Sequence, residues 1–198
     1  MDPALLVQHF LLYFILPLWL LAGLTDYFLH RRTQIERTSG TKESVLHALQ
    51  LGEAGIPVVL GLLYDINAMI LGIMLIALAT HEATAIWDVT YAHTRRYIGP
   101  LEQHVHSFLE LLPLMAVSFV IVLHWDQFLA LFGLGTQPAQ LGFHLKASPL
   151  SPFYIATLFC SIAVFILVPY AEELWRCITT AQDLHTMPEA GTPKVRSS

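Results

Sequence analysis

Residues 87–113 read WDVTYAHTRRYIGPLEQHVHSFLELLP, and they set Asp88, His93, Glu102, His104, His106 and Glu110 between two long apolar runs. Residues 26–57, DYFLHRRTQIERTSGTKESVLHALQLGEAGIP, repeat that order more loosely with Asp26, His30, Glu43, His47 and Glu53. In both stretches an acid and a His precede Arg-Arg and a turn. Glu-x-x-x-His, a further Glu and a Pro then follow. One pattern met twice, each time flanked by apolar sequence, predicts two helical hairpins with their polar turns at the same end.

Composition says what surrounds those turns. With 55% hydrophobic residues, 13% charged and a mean hydropathy of +0.58, the 198-residue chain has too little polar surface for a water-soluble globule. A membrane-spanning helix needs ~20 mainly apolar residues. Stretches centred in Ala4–Thr25, Val45–Leu63, Ala68–Val89, Phe108–Leu123 and Phe153–Tyr170 qualify. The predicted fold is an all-α integral membrane protein, one transmembrane domain over residues 1–182 with five spanning helices. The first four form a bundle from two parallel hairpin repeats, about 4–63 and 68–123, and the fifth covers about 152–177. The Thr, Pro and Ser content of residues 183–198 predicts a disordered cytoplasmic tail.

The placement of Lys and Arg sets the orientation. Arg31, Arg32, Arg37 and Lys42 follow the first span, Arg95 and Arg96 the third, and Arg176, Lys194 and Arg196 the fifth, whereas Lys146 lies on the opposite side. The positive-inside rule then puts the N-terminus outside the inner or plasma membrane and the C-terminus in the cytoplasm. Met1-Asp2-Pro3 lacks a basic region, so the first span is expected to be retained. Cys160 and Cys177 fall on one helix roughly 25 Å apart along its axis and cannot bridge each other within a chain.

Counting inward from the basic turns, His30, Glu43, His93 and Glu102 form an outer layer. Asp26, His47, Asp88 and His106 lie about a turn deeper, Glu53 and Glu110 another turn in, and His81 deeper still. Layers ~5.4 Å apart can share one metal ion or a close pair. Ionisable groups in a membrane are penalised by several kcal/mol unless paired, hydrated or bound to an ion, and a divalent metal neutralises carboxylates while taking neutral imidazole as ligand. The expected metal ligands are therefore Asp26, His30, His47, Glu53, His81, Asp88, His106 and Glu110. Glu43, Glu102 and His93 are expected to orient the imidazoles. Glu43, His93, Glu102, Glu172 and Glu173 also fit a simpler reading as solvated caps in the headgroup zone, paired with Arg31, Arg32, Arg95 and Arg96 and with anionic lipid. His104 points nearly opposite the stripe of Glu102, His106 and Glu110 and is assigned a separate role. Mixed imidazole and carboxylate ligands without thiolate suit two ions of iron, with manganese or zinc as alternatives.

A small helical membrane protein with His and acid clusters at its cytoplasmic face resembles, in site type, the membrane-bound di-iron oxygenases and desaturases. The chain carries neither the His-x-x-x-His nor the His-x-x-His-His box of those families; its closest pair is His104-x-His106. The resemblance implies oxygen-dependent oxidation of a lipid or other membrane-soluble molecule, with electrons from a separate donor protein. Membrane lipid is an expected partner and nucleic acid is not. Two other functions fit the same residues: transport of protons or a divalent cation along the polar row, and a b-type haem held by His47 and His106.

Overall fold

The structure, a computed structural model, describes residues 2–186. Among them the helices run α1 (Pro3–Thr33), α2 (Thr41–Leu63), α3 (Ala68–His93), α4 (Pro100–Leu123), the short α5 (Trp125–Leu131) and α6 (Pro152–Asp183). All except α5 are long and apolar enough to cross a membrane. The last helix continues to Thr186, past the expected end near residue 177; most of the expected tail, residues 187–198, lies outside the described residues. No β-strand is present among the described residues beyond an isolated bridge between Tyr64 and Leu145.

The packing order around the molecule is α1, α4, α3, α2, α6, so that α6 fills the place between α1 and α2. Gly23 makes the approach of α6 to α1 possible: a Cβ there would stand 3.1 Å from Ile166 Cδ1. Tyr170, one turn beyond Ile166, shares its hydroxyl hydrogen between Gly23 O at 3.2 Å and Asp26 Oδ2 at 3.3 Å. At the basic end Glu172 accepts from Arg31 at 2.7 Å and from Tyr27 at 2.9 Å, while Arg176 pairs with Glu36. These contacts fasten α6 to α1 and to the turn that follows it.

Both α1 and α6 contain a widened π turn, Leu11–Ile15 and Ala163–Leu167, and in each a proline follows two residues on, Pro17 and Pro169. Proline has no N–H, so in α1 the Leu12 carbonyl is left without its helical donor. Tyr154 of α6 supplies one, its hydroxyl donating to Leu12 O at 2.8 Å. In an apolar surround an unmade bond of this kind costs about 1 kcal/mol. Tyr154→Phe is therefore expected to lower stability by about that amount in a reversible unfolding titration in mixed micelles.

The other ends of α2 and α3 are closed by side chains. Asn67 accepts from Ile70 N at 3.1 Å and Gln127 Oε1 from Ala68 N at 3.2 Å, so the orphan donors of α3 are met. Lys146 Nζ donates to Gly61 O at 2.6 Å near the end of α2. Leu60, Ile70, Leu71, Met74 and Val117 form the apolar core at this end. Polar groups are thereby sorted: the basic end of the helices carries the buried acids and imidazoles.

Candidate metal centre

Glu173 organises the site. It is fully buried on α6, and its two carboxylate oxygens lie 3.1 Å from His30 Nδ1 and 3.0 Å from His47 Nδ1. An ionised carboxylate only accepts, so both imidazoles carry their proton on Nδ1 and turn Nε2 away from it. The two rings stack, with centroids 4.5 Å apart and planes 11° from parallel.

Each Nε2 faces further carboxylates. That of His30 is 3.4 Å from both Asp26 Oδ1 and Glu102 Oε1. That of His47 is 3.0 Å from Asp88 Oδ2 and 3.9 Å from Glu43 Oε1. Neither Nε2 has a hydrogen-bond partner among the described residues, because these close contacts are not aligned as hydrogen bonds. His106 Nε2 does meet Asp26 Oδ1 in hydrogen-bonding geometry, at 3.0 Å. The pairing is reciprocal between the halves of the chain, since His106 of α4 reaches Asp26 of α1 and His47 of α2 reaches Asp88 of α3.

Two groups of side chains here can hold a metal ion. Asp26, His30, Glu102 and His106 offer one ligand atom each within 4.8 Å of one another, and so do His30, Glu43 and His47. Ligands ~2.0 to 2.2 Å from one ion, spread between right-angle and tetrahedral geometry, stand about 2.8 to 3.6 Å apart. The separations around His30 Nε2, and the shorter one at His47 Nε2, fall in that range.

Arg96 lies over both groups. Its Nη2 donates to Glu43 Oε1 and to Glu102 Oε1, each at 2.5 Å, and its Nε reaches both Glu43 oxygens at 3.2 Å. Burial works against the guanidinium charge, but the hydrogen bonds to the two carboxylates outweigh it and raise the arginine pKa above its ordinary value. The i, i+4 spacing in Glu43-x-x-x-His47 and Glu102-x-x-x-His106 puts each acid one turn nearer the basic end than its His. One arginine can therefore bridge the two acids.

The remaining sequence-assigned residues divide. His81, Asp88 and Glu110 line a cavity of about 70 Å³ beside Asp26, His47 and His106. Gln50 Nε2 donates to Asp88 Oδ2 at 3.0 Å, fixing that carboxylate. Glu53 accepts from Thr84 Oγ1 at 3.1 Å, and none of Glu53, His81, Asp88 and Glu110 belongs to the two ligand groups, although Asp88 Oδ2 lies 3.0 Å from His47 Nε2. His93 is exposed at the end of α3, one residue beyond the buried Ala92, which occupies the place one turn after Asp88 that His30 holds after Asp26. Glu43 and Glu102, expected to orient imidazoles, each belong to one of the two groups, 3.9 Å from His47 Nε2 and 3.4 Å from His30 Nε2. The reading of Glu43, Glu102 and Glu173 as solvated caps is corrected, since all three are buried at 0–2% exposure. His104 is exposed. His47 and His106, the pair a haem would need, have Nε2 3.0 Å from Asp88 Oδ2 and from Asp26 Oδ1 respectively.

Comparison with protein-family models, with curated proteins and with solved structures finds no match.

Proposed function

We propose that the protein is a metal-dependent membrane oxidoreductase with a dinuclear His/carboxylate centre near the cytoplasmic face. One ion is assigned to Asp26, His30, Glu102 and His106, and the other to Glu43, His47 and Asp88, with Glu173 holding the imidazoles of both. The observation that carries this is the pair of buried Nε2 atoms, each turned by Glu173 into carboxylate oxygens without an aligned hydrogen bond. A proton on those nitrogens would draw one oxygen into line; a cation lying between the groups satisfies all of them at once.

Two ions would balance the charge of the site when its imidazoles are neutral. With neutral imidazoles, the buried Asp26, Glu43, Asp88, Glu102 and Glu173 face one guanidinium, that of Arg96, which leaves four negative charges. Two divalent cations cancel them. The reciprocal His106–Asp26 and His47–Asp88 contacts support the reading of two parallel hairpin repeats meeting at this centre. Iron is the favoured metal because carboxylate-rich pairs accommodate redox change, with manganese and zinc as alternatives. The bound metal would supply the electron-transfer chemistry. The chain's own residues fix the imidazole tautomers, keep water from the apolar side and hold the carboxylates apart. Electrons would come from a separate donor protein, and the substrate from the lipid phase.

Protein purified without chelators is expected to contain about two equivalents of metal by mass spectrometry. Asp26→Ala and Asp88→Ala should each remove close to one equivalent, and the double variant both. Undiminished metal in the double variant would reject the assignment.

A further inference from the structure

Above the metal centre a second cavity of about 130 Å³ runs between the apolar halves of α1 to α4, from Glu53 to Leu62 along α2 and from Leu112 to Val120 along α4. At 1.5 Å per residue that is roughly 12 to 14 Å of length for a small volume. The shape is long and narrow, and Ala54, Gly61, Ala77 and Ala116 supply what width there is. Trp19 and His81 line both this cavity and the smaller one beside the ligand groups, so the two spaces meet there.

The polar end of the long cavity is specific. His81 is buried, and its Nδ1 lies 3.2 Å from the Gln50 carbonyl, which only accepts. The proton therefore sits on Nδ1, and Nε2 presents a lone pair with no partner among the described residues. Glu53 uses Oε1 to accept from Thr84, and its Oε2 is likewise buried and unpartnered. A buried acceptor without a donor is unfavourable, so the end of the cavity calls for a molecule that brings one. A carboxylate head brings only acceptors beside Glu53, and a plain hydrocarbon brings nothing.

We propose that this cavity binds an unbranched aliphatic alcohol, its hydroxyl donating to His81 Nε2 next to Glu53 and its chain extended between α1 and α4 away from the metals. This rests on the oxidoreductase reading for the alcohol's role as substrate, whose hydroxyl-bearing end would then lie beside the metal centre. Binding itself is measurable apart from that role.

Trp19 reports on the site, since Trp87, Trp125 and Trp175 are exposed and can be subtracted with a Trp19→Phe control. In lipid nanodiscs, 2-bromododecan-1-ol is expected to quench Trp19 saturably, and 12-bromododecan-1-ol much less, because its bromine lies at the far end of the chain. Dodecan-1-ol should displace the probe at least tenfold better than dodecane or dodecanoate. His81→Phe should weaken binding at least tenfold, and Gly61→Leu, whose side chain would grow toward Met74, should abolish it while metal content stays unchanged. Should Gly61→Leu fail to fold, Ala116→Leu narrows the same space. Equal displacement by dodecane or dodecanoate, or unaltered affinity in His81→Phe, overturns the proposal, as does unsaturable quenching in protein that carries metal. Saturable binding in protein that takes up no metal would sink the oxidoreductase reading and leave the alcohol site standing.

Discussion

Glu173→Gln is expected to cut the metal content of the purified protein from about two equivalents to about one. The carboxylate accepts from His30 Nδ1 on one oxygen and from His47 Nδ1 on the other. An amide keeps one acceptor and places an NH₂ donor against the second imidazole. That ring must then hold its proton on Nε2, where the ion would bind, and one ligand is lost. Glu173→Ala frees both rings and is expected to weaken metal binding at both positions about 10- to 100-fold, the usual cost of removing a group that orients a ligating histidine. Metal titration of chelator-stripped protein separates the two variants. Two equivalents retained at undiminished affinity in Glu173→Ala would show that the imidazoles do not ligate through Nε2.

Arg96→Met should be the most damaging single substitution for the fold, and its cost should depend on metal. Removing the guanidinium leaves Glu43 and Glu102 buried at 0–2% exposure without their cationic partner. Breaking a buried ion pair from one side typically costs about 3 to 5 kcal/mol. An ion held by the same carboxylates returns part of the missing charge, so the loss should be largest in chelated protein. Thermal unfolding in detergent with and without chelator measures both. A midpoint for Arg96→Met that falls equally in the two conditions would mean that the carboxylates do not share an ion. Arg96→Lys is expected to rescue poorly, because an ammonium lacks the planar fork that reaches two carboxylates at once.

The helices and most of the polar cluster are legible in the sequence. Five apolar runs of spanning length can hardly be anything but helices in lipid, and the acid-x-x-x-His spacing puts each acid and His on one helical face. Glu173 was the part that sequence left undecided. A Glu-Glu pair at the end of a membrane helix is ordinarily solvated, and nothing local distinguishes Glu173 from Glu172, which pairs with Arg31 at the surface. The signal lay in spacing: Tyr170 and Glu173, three residues apart, share a face and both meet groups of the α1 cluster. His93 was misled by alignment of the two hairpins. One residue of offset from Ala92 turns it about 100° away from the centre. Arg96 pairs with Glu43 and Glu102 as the simpler reading expects, but the connection to α4 folds it back so that these pairs are buried and not at the surface.

The two π turns bear on why the centre exists where it does. A widened turn takes up one extra residue, and everything beyond it is set back by about 100° in helical phase relative to an uninterrupted helix. In α1 the residues so displaced include Asp26 and His30; in α6 they include Tyr170 and Glu173. Had both helices run on without that insertion, the same side chains would sweep toward neighbouring chains of lipid, and α2 to α4 would enclose half a cage. The π turns ahead of these prolines thus act as angular spacers, letting the inner halves of two apolar helices turn their acids and imidazoles into the cluster.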